Sequence, residues 1–83
     1  MKLVNIGYGN LMNADRMIAA VAPDAAPIKR MIAEAKEQGS LIDATCGKKT
    51  RTVVLTDSGH VILIALQPET LANRLQTDSQ EEI

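Results

Sequence analysis

Aromatic side chains are almost missing from this sequence: Tyr8 stands alone, with neither Phe nor Trp. A platform that stacks single-stranded bases needs aromatic rings, so that mode of nucleic-acid binding is excluded. Cysteine is as scarce, because Cys46 has no second thiol to pair with. That suits a reducing cytoplasm, and we expect Cys46 to be a small strand side chain. His60 is also single, and Cys46 and Asp57 do not stand at ligand spacing from it, so neither a metal nor another cofactor is expected and His60 is read as a turn residue. No apolar run approaches the ~18 residues of a membrane span, and the first five residues lack a signal peptide's apolar region. We therefore expect a soluble cytoplasmic protein without a membrane partner. No nucleophile has a base in view and no paired carboxylates occupy an apolar setting, so neither an enzyme nor a small-molecule substrate is expected.

The chain has 83 residues, enough for one small domain, which we place over residues 1–76, with an acidic tail over 77–83 expected to be disordered. The formal charge of -1 hides an asymmetry, since Asp78, Glu81 and Glu82 lie in that tail. Without them the body holds nine basic and seven acidic residues, a net of +2. Such a balance is too small for a protein that coats DNA alone. Cations must be focused into a patch, or the patch repeated in an oligomer.

Along the chain, residues 2–6 read as a strand stopped by Gly7, Tyr8, Gly9 and Asn10, a turn signal. The Gly-x-Gly is not a dinucleotide loop, because the third glycine would fall at Met12 and no βαβ unit follows. Residues 16–22 are apolar and are read as a strand ended by Pro23; Arg16 at its entrance either pairs with Asp15 or meets a phosphate. A helix is predicted over 24–38, capped by Asp24 or Ala25, with Pro27 in its first turn and Gly39 after its end. Ile28, Met31, Ile32 and Ala35 form its apolar stripe. Arg30 can meet Glu34 on the solvated face, yet Lys29 and Arg30 sit early in the helix, where the dipole disfavours cations and a docked anion would relieve the conflict.

Residues 41–46 and 51–56 read as two strands of a hairpin whose tip carries Lys48, Lys49 and Arg51. The tip is not a Walker A loop, since Ile42 and Lys49 stand where Gly and Ser or Thr are required. A second turn over 57–60 leads to a strand over 61–66, apolar on both faces. One face suits the helix, and the other is expected to be a subunit interface. Pro68 opens a short helix with Leu71 and Leu75 packed on the sheet. The fold class is thus α+β, a small antiparallel sheet of four to five strands with one main helix and a short C-terminal helix. The basic tip is either a solvated turn or a phosphate-binding surface. If it neutralised about three phosphates per copy, the salt slope would be only roughly -2.7 per copy, so repetition would be needed for affinity.

Six blocks in one order carry a resemblance: Asn5 to Asn10, Arg16-Met17-Ile18, Ala26 to Arg30, Leu41 to Thr45, Gly47 to Arg51, and His60 to Leu63 with Gln67 to Thr70. From about Lys2 to Leu75 the chain resembles the RemA family of bacterial extracellular matrix regulatory proteins. The resemblance implies a DNA-binding transcriptional regulator of matrix and biofilm genes, with a fold similar to LytTR-type DNA-binding domains and a ring-like homo-oligomer along which double-stranded DNA bends. It also places DNA contacts on Arg16 and on the two positions after Gly47. Those are Lys48 and Lys49 here, a departure from the family's arginine pair that keeps the charge but loses the planar fork. The expected DNA-binding residues are Arg16, Lys48, Lys49 and Arg51, with Lys29 or Arg30 extending the track. A protein-interaction scaffold without DNA binding is the alternative, and a small-molecule phosphate binder a third.

Overall fold

The computed structural model describes the backbone of residues 1–81 and the side chains of residues 1–76. The tail expected to be disordered, over 77–83, therefore lies outside the described side chains. The elements in order are β1 (Leu3–Gly7), β2 (Asn10–Asn13), a single 3-10 turn (Ala14–Arg16), β3 (Met17–Val21), α1 (Ala26–Gln38), β4 (Leu41–Asp43), β5 (Thr52–Thr56), β6 (Val61–Ile64) and α2 (Pro68–Glu81). The α+β class holds, with the strands divided between a two-stranded ribbon, β1-β2, and a four-stranded sheet ordered β3-β5-β6-β4.

The ribbon closes through Gly7, Tyr8 and Gly9, all at positive φ (108°, 55° and 79°). Two glycines make that conformation cheap on either side of the one residue that carries a side chain through it. β2 has no counterpart in the sequence reading, because Asn10-Leu11-Met12-Asn13 is short and bounded by asparagines. The ambiguous segment 16–22 is a strand, as expected, and a register irregularity between Met17 and Ala19 leaves Ile18 66% exposed. In α1 the N-cap is Ala25, without a side-chain cap hydrogen bond. Gly39, at φ 77°, ends the helix, while Ser40 N–H donates to the Ala35 carbonyl at 2.9 Å in a Schellman-type closure.

The sheet is covered on both sides. Val53 and Val61 pack with Ala35, Ile28 and Ile32 of α1 on one face. Val54, Ile62 and Ile64 pack on the other with Val4, Ile6 and Met12 of the ribbon and Leu71 of α2. The two-sided apolar strand β6 is thus satisfied within one chain, and the subunit interface expected on its second face is overturned: the ribbon and α2 occupy it. The cover is not apparent from sequence, because β2 is a four-residue strand bounded by asparagines and α2 runs well past its Pro68 start. α2 is stapled to β1 and the residue before it by Lys2 Nζ to the Leu75 carbonyl (3.0 Å) and Arg74 Nη1 to the Asn5 carbonyl (3.1 Å).

The hairpin expected over 41–56 is also corrected. β4 pairs in parallel with β6 (Leu41 with Val61, Asp43 with Leu63), while β5 pairs antiparallel with the other side of β6. The true hairpin is β5-β6, closed by the turn at Asp57 to Gly59. Asp43 explains why the first strand stops early: its Oδ1 accepts from Thr45 N–H (2.9 Å) and from Thr45 Oγ1 (2.6 Å), turning the chain out of the sheet. Residues 44–51 then cross the C-terminal end of β6. Cys46, expected on a strand, is exposed in this crossing at φ 54°.

Candidate nucleic-acid interface

The crossing loop is fastened at both ends and exposed between them. Ala44 N–H donates to the Leu63 carbonyl (2.9 Å) and Arg51 N–H to the Ile64 carbonyl (2.8 Å), so the loop closes the end of β6. Two buried threonines brace it: Thr45, held by Asp43, and Thr52, whose Oγ1 donates to the Leu66 carbonyl at 2.7 Å just before α2. The Asp43 carboxyl is held below its ordinary range, chiefly by the Thr45 hydroxyl and then by the Thr45 N–H. Between the braces the chain turns through Cys46 and Gly47, at φ 54° and 78°, with Lys48 N–H donating to the Thr45 carbonyl (3.0 Å). This tight turn is what thrusts Lys48 and Lys49 outward.

Lys48, Lys49 and Arg51 are all exposed. Among the described residues there are two ion pairs, the N-terminal amine with Asp15 (3.9 Å) and Arg16 with Asp57 (2.8 Å), and none of the three loop cations joins either or makes a side-chain hydrogen bond. Three unneutralised charges in four positions concentrate positive potential on one end of the sheet. Lys49, Thr50 and Arg51 also form one wall of a cleft of about 200 Å³ whose other walls are Ala22, Pro23 and Asp24 before α1 and Gln67 and Pro68 at the start of α2.

Lys29 and Arg30 lie in the early turns of α1, at this same end, and are exposed. The Arg30–Glu34 pair expected from their spacing is not formed among the described ion pairs. Arg16 is elsewhere. It precedes β3, whose Met17 pairs with Thr56, and its Nε contacts Asp57 Oδ1 at 2.8 Å, at the far end of β5 from Arg51. At about 3.4 Å per residue, Arg16 and the loop stand roughly 20 Å apart. Its partner is Asp57 and not the adjacent Asp15, and the Asp57 N–H reaches back to the Arg16 carbonyl (3.0 Å). Nothing in the sequence signalled that contact across 41 positions. His60 is a turn residue, as expected, with Nδ1 2.8 Å from Ser58 Oγ.

No group of three or more His, Cys, Asp and Glu side chains suited to a metal occurs among the described residues, and none of the helices searched is long and apolar enough to cross a membrane. Comparison with known proteins assigns the chain's relatives. Residues 3–75 match the family described as RemA-like, extracellular matrix regulatory protein A-like. A protein of Acetivibrio thermocellus is 57% identical over 83 residues, covering all of this chain and 89% of its own. Proteins of Clostridium kluyveri and Natranaerobius thermophilus are each 58% identical over 82 residues, covering 99% of this chain and 89% and 92% of theirs. All three bear the name "Putative regulatory protein". Their names describe regulation rather than catalysis, and the chain belongs to the RemA-like family of regulatory proteins.

Proposed function

We propose that this protein is an oligomeric, double-stranded DNA-binding transcriptional regulator of the cytoplasm that grips the phosphate backbone through the 44–51 loop. The observation that carries this reading is the set of three exposed, unpaired cations on a loop braced at both ends. A rigid presentation matters, because ordering a loose loop on binding would offset much of a weak electrostatic gain. Lys29 and Arg30 extend the track on the same end of the molecule. Arg16, roughly 20 Å away, contacts a separate stretch of backbone, since that distance exceeds the major groove's width of about 12 Å.

Assembly into a ring supplies the repetition that a body charge of +2 requires. Its support now comes from a different surface: Leu3, Leu11 and Tyr8 of the ribbon and Ile18 of β3 are large apolar residues that remain 46–66% exposed. Leu3 and Leu11 are diagonal neighbours on the ribbon's outer face, away from Val4 and Met12. Gel retardation of duplex DNA at two salt concentrations tests the function. Retention that falls steeply with salt, and that is lost in a Lys48→Ala, Lys49→Ala double variant of unchanged mass, supports it. Salt-insensitive or absent retention removes DNA and leaves a protein-interaction scaffold.

A further inference from the structure

The cleft between the basic loop and the two helix entrances differs from the surface that would track a DNA backbone. Lys49 and Arg51 line it and have no ionic partner among the described residues, whereas Lys48 is not among its lining residues. Among the described residues its one carboxylate is Asp24, its apolar surface is Ala22, Pro23 and Pro68, and Thr50 and Gln67 add hydrogen-bonding groups. The entrance of α1 adds to the positive field, having neither a side-chain cap nor an acidic residue in its first turn.

We infer that this cleft seats the terminal phosphate of a small phosphomonoester, and that such a ligand competes with DNA for Lys49 and Arg51. The competition rests on the DNA-binding reading above; the binding itself does not. A phosphomonoester carries close to two negative charges at neutral pH and three acceptor oxygens, which two unpaired cations can balance. A backbone diester carries one charge and is flanked by sugar on both sides, so it meets the convex tip at Lys48 and Lys49 more readily than it enters a recess. The cleft's volume of about 200 Å³ leaves room beyond one phosphate for a compact body against the proline rings. A cell could thereby tune DNA occupancy by its level of a phosphorylated small molecule.

Titration of the full chain with adenosine 5′-monophosphate, followed by amide NMR, tests this. Saturable shifts are expected at Thr50, Arg51 and Gln67, with Arg16 and Asp57 at the far end of β5 unmoved, and adenosine should produce none. Inorganic phosphate should shift the same amides. Ala22→Phe fills the cleft without removing a cation, so it should weaken nucleotide binding at least about tenfold, the equivalent of ~1.4 kcal/mol, while leaving duplex retention unchanged. Lys48→Ala should do the reverse. The absence of saturable shifts, or shifts that adenosine reproduces, overturns the cleft site even if duplex DNA binds. Nucleotide binding in a protein that retains no duplex overturns the DNA reading and leaves the cleft.

Discussion

Arg16 and the loop cations differ in one respect that decides how each should respond to mutation: Arg16 is neutralised by Asp57, and Lys48, Lys49 and Arg51 are neutralised by nothing among the described residues. An exposed pair of this kind stabilises the fold by less than about 1 kcal/mol. Asp57→Asn should therefore leave the unfolding midpoint nearly unchanged. If Arg16 meets DNA, the same change exposes one more uncompensated charge, tightening duplex binding severalfold at low salt and steepening the salt slope by up to about 0.9. An unaltered affinity would take Arg16 out of the interface. At 48 and 49, lysine gives charge without a planar fork, so Lys48→Arg with Lys49→Arg should add discrimination between DNA sequences of about 1–3 kcal/mol where one of them reaches a guanine. Competition binding on duplexes of different sequence measures it.

The loop depends on the elements that hold it, and Thr52 and Asp43 are the places to test this. Thr52 is fully buried and gives its hydroxyl to the Leu66 carbonyl, so Thr52→Val strands that acceptor and should cost about 1–3 kcal/mol in denaturant unfolding. Asp43 has a lowered pKa because its ionised form accepts the Thr45 hydroxyl and N–H. The contribution of that bond is complete above the ordinary carboxyl pKa and disappears as pH falls through the depressed folded value. The Thr45 amide resonance should accordingly titrate below the ordinary carboxylate range and remain flat in Asp43→Asn. The strand-breaking Asp43–Thr45 turn also shows where sequence reading ended. The stripe Ile28, Met31, Ile32, Ala35 and the Gly39 stop made α1 legible, and Pro68 made the start of α2 legible, because both signals are local. The partner of β4 is not legible: 41–46 and 51–56 flank a glycine-bearing basic turn as hairpin strands would, and only long-range pairing with β6 decides otherwise. The clustering of Lys48, Lys49 and Arg51 is legible whichever strands flank them, because it depends only on their nearness in sequence. The cleft was invisible, since its walls come from three separate connections.

For the whole molecule, the chain's own core leaves β6 no open face, so the proposed assembly has to use exposed apolar residues outside the core. Leu11→Asp with Ile18→Asp should lower the mass seen in sizing with light scattering without unfolding the chain, as both side chains are more than 60% exposed. Duplex affinity should fall with the mass, because the loop of one copy offers about three phosphate contacts and contributes a slope of only roughly -2.7. The most direct test of the central claim is the salt dependence of duplex binding by the intact protein and by its Lys48→Ala, Lys49→Ala variant, each checked for an unchanged oligomeric mass. A backbone-gripping loop predicts weaker binding to every sequence and a slope shallower by about 1.8 for each engaged copy. An unchanged affinity and slope in the variant would contradict it.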